Sequence, residues 1–226
     1  MENTNEEKNF SVVLGGFFSR TQKFWTVFLI LLVVAAVAIG VISTVSAKSK
    51  MNGANFLDSE VFKLMKAKST LEGDELVDAE NKFLANVKDF AASNGKNGNT
   101  VRAYMMVAET YFKNEDWNNS LESWLKAAEN GKSYLSGISY YNAAVCYEQL
   151  ADTLNAEKYY SLALANADFD LKPHAMFNLA RLLESQGKNE QAIAEYKNIL
   201  NTYSDTEWAD LANSRLIIID TNIVTE

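Results

Sequence analysis

Proline occurs once in this chain, at Pro173, and so do cysteine, at Cys146, and histidine, at His174. A lone cysteine cannot close an intramolecular disulfide, so the fold is not stapled, and the redox compartment stays open. With one histidine and one cysteine there is no cluster of zinc-ligand spacing, and no metal is expected. His174 follows Pro173 at an expected helix start, where a solvated side chain is the default. Glycine is also scarce, ten in 226 residues, so helices meet few breakers.

An excess of positive charge is missing too. The formal net charge is −8. Of 21 bases and 29 acids, three of each (Lys8, Arg20 and Lys23; Glu2, Glu6 and Glu7) precede residue 24, which leaves 18 against 26 in the remainder. Phosphate backbones are bound by clustered Lys and Arg, so nucleic acid is not an expected partner. An acidic domain also disfavours docking flat on an anionic leaflet. Nor does a convincing phosphate loop appear. Gly131-Lys132-Ser133 has Lys126 where the leading glycine belongs and follows a helix instead of a strand. Gly15-Gly16 is equally weak. The chain is therefore not expected to be an enzyme, and neither a cofactor nor a small-molecule substrate is implied.

One long apolar run is present. Residues 24–47 carry no charge, and residues 24–42, FWTVFLILLVVAAVAIGVI, are the densest part. Nineteen residues of helix reach about 29 Å, close to the ~30 Å hydrocarbon core. Phe24 and Trp25 suit the interface, and Arg20 with Lys23 and Lys48 with Lys50 flank the ends. The rival is a cleaved signal peptide, and Val45-Ser46-Ala47 does look like a small-residue cleavage site. The run, however, exceeds the roughly 7–15 residues of such a segment, and the stretch before it is long and mixed in charge. An uncleaved anchor is expected. Lys8, Arg20 and Lys23 on one side, against Lys48, Lys50, Lys63, Lys66 and Lys68 on the other, do not by themselves set its direction. Long C-terminal domains cross largely regardless of charge, so the expectation is a cytoplasmic N-terminus and an exported C-terminal domain.

Beyond the anchor, three segments coincide when shifted by 36 residues. VRAYMMVAETYF leads to DWNNSLESWLKAA, GISYYNAAVCYE to DTLNAEKYYSLAL, and PHAMFNLARLLE to KNEQAIAEYKNIL. Each reads as helix, turn and helix, and such self-similarity predicts a solenoid. A weaker unit precedes them. Residues 56–69 read as one helix, and Leu76, Ala79, Phe83, Val87 and Phe90 form a second helical stripe. After the repeats, Ser204 and Glu207 suggest a capping box. Trp208, Leu211, Ala212, Arg215, Leu216 and Ile219 then predict a terminal helix.

The pattern resembles the tetratricopeptide repeat (TPR). Its first-helix ring falls at Tyr104 and Tyr140, with Met176 in the third copy. The paired Leu-Gly positions are Val107-Ala108, Ala143-Ala144 and Leu179-Ala180, and the following Tyr is Tyr111, Tyr147 and Leu183. The second-helix Ala is Ser120, Ala156 and Ala192, and the ring four residues on is Trp124, Tyr160 and Tyr196. Small residues let backbones cross closely, and rings fill the gaps. The closing proline is absent, and the period of 36 instead of 34 predicts longer connections around residues 132–137 and 168–172. Cys146 stands where the pattern wants a small residue, so a buried structural thiol is expected instead of a nucleophile.

The resemblance implies an all-α architecture: a short tail (1–23), a transmembrane helix (24–47), a linker with a degenerate hairpin (48–99), three TPR repeats forming an α-solenoid (100–204), and a capping helix with its tail (205–226). It implies protein partners, met on the concave face lined by the first helices. The residues expected there are Arg102, Met105 and Glu109, then Ile138, Tyr141, Val145 and Glu148, then His174, Phe177, Arg181 and Glu184. Met105, Tyr141 and Phe177 recur at the same place and would act as apolar anchors. They would instead be ordinary core if a terminal unit folded over them. The layout resembles YfgM-like single-pass proteins, ancillary subunits of the bacterial Sec translocon that link it to periplasmic chaperones. That implies an adaptor or chaperone-like scaffold in the bacterial inner membrane, with a periplasmic domain and with the lipid bilayer as the partner of residues 24–47. The alternatives are a structural part of an envelope machine, such as an outer-membrane assembly complex or a periplasmic flagellar structure, and a receptor with a cytosolic repeat domain.

Overall fold

The computed structural model describes the backbone of residues 3–225 and the side chains of residues 24–219. Nine helices and no strand occur among them: α1 (Asn3–Thr70), α2 (Gly73–Ser93), α3 (Gly98–Lys113), α4 (Trp117–Asn130), α5 (Tyr134–Gln149), α6 (Thr153–Leu164), α7 (Lys172–Ser185), α8 (Asn189–Thr202) and α9 (Glu207–Thr225). The chain divides into two compact units between Gly53 and Ala54.

In the first unit the apolar side chains of residues 24–42 lie exposed along α1. This is one helix long and apolar enough to cross a membrane by length and composition.

The second unit is the helical stack. Its hairpin of α1 and α2 is joined by Phe56 on Phe90 with ring centroids 4.9 Å apart, by Lys68 on Glu80 at 2.7 Å, and by the Asn86 amide donating to buried Glu60 at 2.8 Å. From α2 onward, each helix packs on its neighbours in sequence. The small positions decide the crossings. Ala108, Ala144, Ala180, Ala156 and Ala192 are fully buried, as are the rings of Tyr160 and Tyr196.

Every turn inside a repeat has one form. The backbone N–H of Glu115, Ala151 and Gly187 reaches back three residues to a carbonyl (3.1, 2.9 and 2.9 Å), and that of the next residue reaches back five (3.0, 2.9 and 3.0 Å). This Schellman closure needs a left-handed residue, and φ is +58°, +58° and +71° at these three positions. Only the third copy uses glycine. Asp116 and Asp152 then cap the second helix, accepting from the backbone N–H of Asn119 and Asn155 at 3.2 and 3.1 Å. An Ala151→Gly chain is expected to be more stable by about 1 kcal/mol, because the left-handed penalty on alanine exceeds the added freedom of glycine when unfolded. A lower denaturation midpoint for that variant would contradict this turn.

Of the two longer connections expected, the first is absent and the second is present. The α4–α5 link is short, and Gly137 lies inside α5, where a Cβ would come within 2.9 Å of Phe169. The long link is residues 165–171, and Phe169 from it is buried at 2% exposure against α5. Ser204 caps nothing: its hydroxyl is 3.3 Å from Asp205, and α9 starts at Glu207. On α7, Met176, Leu179, Ala180 and Leu183 are buried, whereas 34 residues later Asp210, Asn213, Ser214 and Ile217 are exposed.

Candidate functional site

The first-helix face brings α3, α5, α7 and α9 into sequence along the stack. At its centre, Tyr141 points inward with 8% exposure. Its ring lies 5.8 Å from Tyr160 and 6.1 Å from Phe169. Its hydroxyl sits 2.9 Å from His174 Nε2 and accepts from the Asn178 amide at 2.9 Å. Burial pushes this phenol up to about 12, against the smaller pull of the Asn178 hydrogen bond. His174 in turn stacks on Trp208 of α9, centroids 4.2 Å apart and 16° from parallel. Phe177, half-buried, meets Trp208 and Tyr196, each at 5.6 Å.

Two ion pairs flank this aromatic column with the same logic. Glu148 of α5 accepts from Tyr160 and from Arg181 of α7 at 2.5 Å. Glu184 of α7 accepts from Tyr196 at 3.0 Å and pairs with Arg215 of α9. Burial first, then these carboxylates, raise the Tyr160 and Tyr196 phenols far above the ordinary range. In the first repeat the acid is replaced by Phe112, 36 residues before Glu148. The buried Trp124 Nε1, in the place of the tyrosine hydroxyl, accordingly finds no hydrogen-bond partner.

The other expected residues spread along the face. Arg102 is exposed and pairs with Asp58 of α1 at 2.6 Å, and Glu109 is exposed. Met105, Ile138 and Val145 are partly buried against the core. Of the three expected anchors, then, Tyr141 is packed inward, Phe177 is flanked by Trp208, and Met105 stands apart at the start of the stack. His174 is not the solvated residue expected from its helix-start position. It is covered by Trp208, which lies 34 residues away, beyond the reach of local pattern. Cys146 is fully buried, and its thiol is pushed up by burial, outweighing a 3.4 Å hydrogen bond to Ser120. No group of three or more metal-ligating side chains occurs among the described residues.

Burial lowers the His174 pKa below its ordinary 6.5, against an opposing pull from Glu207. The sign follows: protonation favours the unfolded chain, so stability is lost as pH falls through about 6.5 and levels off below the folded value. The melting temperature is expected to show this drop, and His174→Gln is expected to flatten it. An unchanged slope in the variant would remove His174 from the account.

The family described as a domain of unknown function (DUF6340) matches residues 106–202. The chain is 30% identical over 149 residues to a TPR repeat-containing protein of Treponema pallidum (strain Nichols), covering 65% of this chain and 62% of that protein. It is 27% identical over 106 residues to response regulator aspartate phosphatase A of Bacillus subtilis (strain 168), covering 44% of this chain and 28% of that one. The chain thus spans less than two thirds of either relative. Among solved structures, the apo form of RapI superimposes with a TM-score of 0.55 at 16% identity, covering 73% of this chain and 46% of that one. A MamA protein does so with a TM-score of 0.52 at 14% identity, covering 75% and 87%. These two likenesses concern the fold alone.

Proposed function

We propose that this chain, a TPR-type solenoid by fold, is a membrane-tethered scaffold that binds other proteins, held at the bilayer by residues 24–47. The observation that carries the reading is the stack itself: three helix pairs in one register, with a continuous first-helix face and the TPR-named relative in Treponema. The exposed residues of that face, Arg102, Glu109 and Arg181, are the partner-facing rim. Met105, Ile138, Val145, Phe177, Glu148 and Glu184 lie partly open between them, and Tyr141 with His174 supports the face from beneath. The mixed charges of the rim set the register of a partner, and the half-open apolar groups supply contact area.

The finer reading is an adaptor of the bacterial cell envelope, with the N-terminus cytoplasmic and the solenoid periplasmic, serving protein translocation. Its support is the uncharged run of residues 24–47 placed ahead of an acidic TPR-type remainder. The test is made on the full chain in its own membranes. The protein should resist an alkaline carbonate wash, external protease should reach the solenoid in spheroplasts, and crosslinking should recover translocon or chaperone subunits. Release by carbonate would remove the anchor, and protection of the solenoid would reverse the orientation.

A further inference from the structure

The groove on the other side of the first repeat holds a cavity that its neighbour fills. In the second repeat, Tyr159 of α6 lies across two rings of α5. It stacks on Tyr147 with centroids 5.0 Å apart and 25° from parallel, and tilts onto Tyr140 at 5.9 Å. Moved back by 36 residues, Tyr140 and Tyr147 become Tyr104 and Tyr111 of α3, and Tyr159 becomes Ser123 of α4. The two receiving rings are kept, but the ring they receive is gone. In its place is a cavity of about 220 Å³ lined by Tyr104, Tyr111, Ser123, Asn119, Lys88 and Lys126, among others.

Two lysine ammonium groups lie over the rings. Lys88 Nζ is 5.6 Å from the Tyr111 centroid, and Lys126 Nζ is 5.9 Å from that of Tyr104. Lys88 is exposed and donates to the Tyr111 hydroxyl at 3.4 Å, whereas Lys126 is partly exposed and also holds exposed Glu122 at 2.6 Å. Acids and bases balance around the opening, with Asp89 and Glu122 against Lys88 and Lys126. The lining therefore does not select a charged guest. What it offers is two tyrosine rings at the sequence positions that hold a phenol one repeat later, with two cations beside them.

We propose that this cavity is a binding site for one aromatic side chain, tyrosine best, presented by a protein partner. The internal copy is the template: the guest ring takes the place of Tyr159 and stacks on Tyr111 as Tyr159 stacks on Tyr147. The site lies between α2, α3 and α4, and it does not depend on the first-helix face.

The test uses the full chain in detergent micelles with ring-labelled tyrosine and the probe N-acetyl-tyrosinamide. The Tyr104 and Tyr111 ring resonances are expected to shift with probe, those of Tyr140 and Tyr147 to stay, and N-acetyl-alaninamide to move none of them. Ser123→Tyr should fill the cavity with the chain's own ring, raising the melting temperature and abolishing the titration. The proposal is overturned if the probe leaves Tyr104 and Tyr111 unmoved, or if it shifts all four rings alike. It is also overturned if Ser123→Tyr melts lower or fails to fold, because the cavity would then not admit a ring.

Discussion

Tyr141→Ala should lower stability by about 3–5 kcal/mol, the range for deleting a buried ring whose surroundings cannot collapse. The residue is at the crossing of four aromatic groups: its ring meets Tyr160, Phe169 and His174, and His174 carries the contact on to Trp208. Removing it opens a void between α5, α6 and α7 and strands His174 and Asn178 without the shared hydroxyl. Tyr141→Phe keeps the ring and removes only that oxygen, so a loss of about 1 kcal/mol is expected. Phe177→Ala should cost less than Tyr141→Ala, because Phe177 is half-buried and borders the open part of the face. Urea denaturation of the three variants orders them. Equal and small losses would mean that Tyr141 is a surface anchor after all, and that the face is more open than described.

Phe169→Ala has an effect of similar size, about 3–5 kcal/mol, from a position with no helical periodicity. Its side chain is 2% exposed and lies against Gly137 of α5, where a Cβ would come within 2.9 Å of it. Gly137→Ala should therefore cost about 1–3 kcal/mol by overpacking the same contact. The two changes share one partner, so their effects are not additive. The double variant should lose less than the two single losses combined, since the methyl enters the space the ring has left. Strict additivity in a double-mutant cycle would mean that the two groups do not touch.

These residues mark the line between what the sequence makes legible and what it hides. The buried small positions Ala108, Ala144 and Ala180, and the buried rings Tyr160 and Tyr196, follow from the 36-residue period alone, because helix crossings repeat wherever the spacing repeats. Phe169 does not repeat. It comes from the connection between α6 and α7, and nothing local says that a loop ring will close on a helix glycine 32 residues earlier. The left-handed turn is announced by Gly187 but concealed at Glu115 and Ala151, where the stacked repeats impose on ordinary residues a backbone that they disfavour. The first-helix face was legible as a set of positions. The inward packing of Tyr141 was not, because it depends on His174 and, through it, on Trp208 of α9, which approach only after the stack has assembled. The same comparison of repeats exposes the cavity over Tyr104 and Tyr111, since a missing ring is visible only against the copy that has one.

The most direct test of the scaffold reading is site-specific photo-crosslinking in native membranes. A benzoylphenylalanine is placed on the full chain at Glu109 or Arg181 of the first-helix face, and at exposed Ser161 or Asn201 of the second helices. The account predicts discrete protein adducts from Glu109 and Arg181, and none of the same adducts from Ser161 and Asn201. The same adducts from all four positions, or none from the first-helix face, would contradict it.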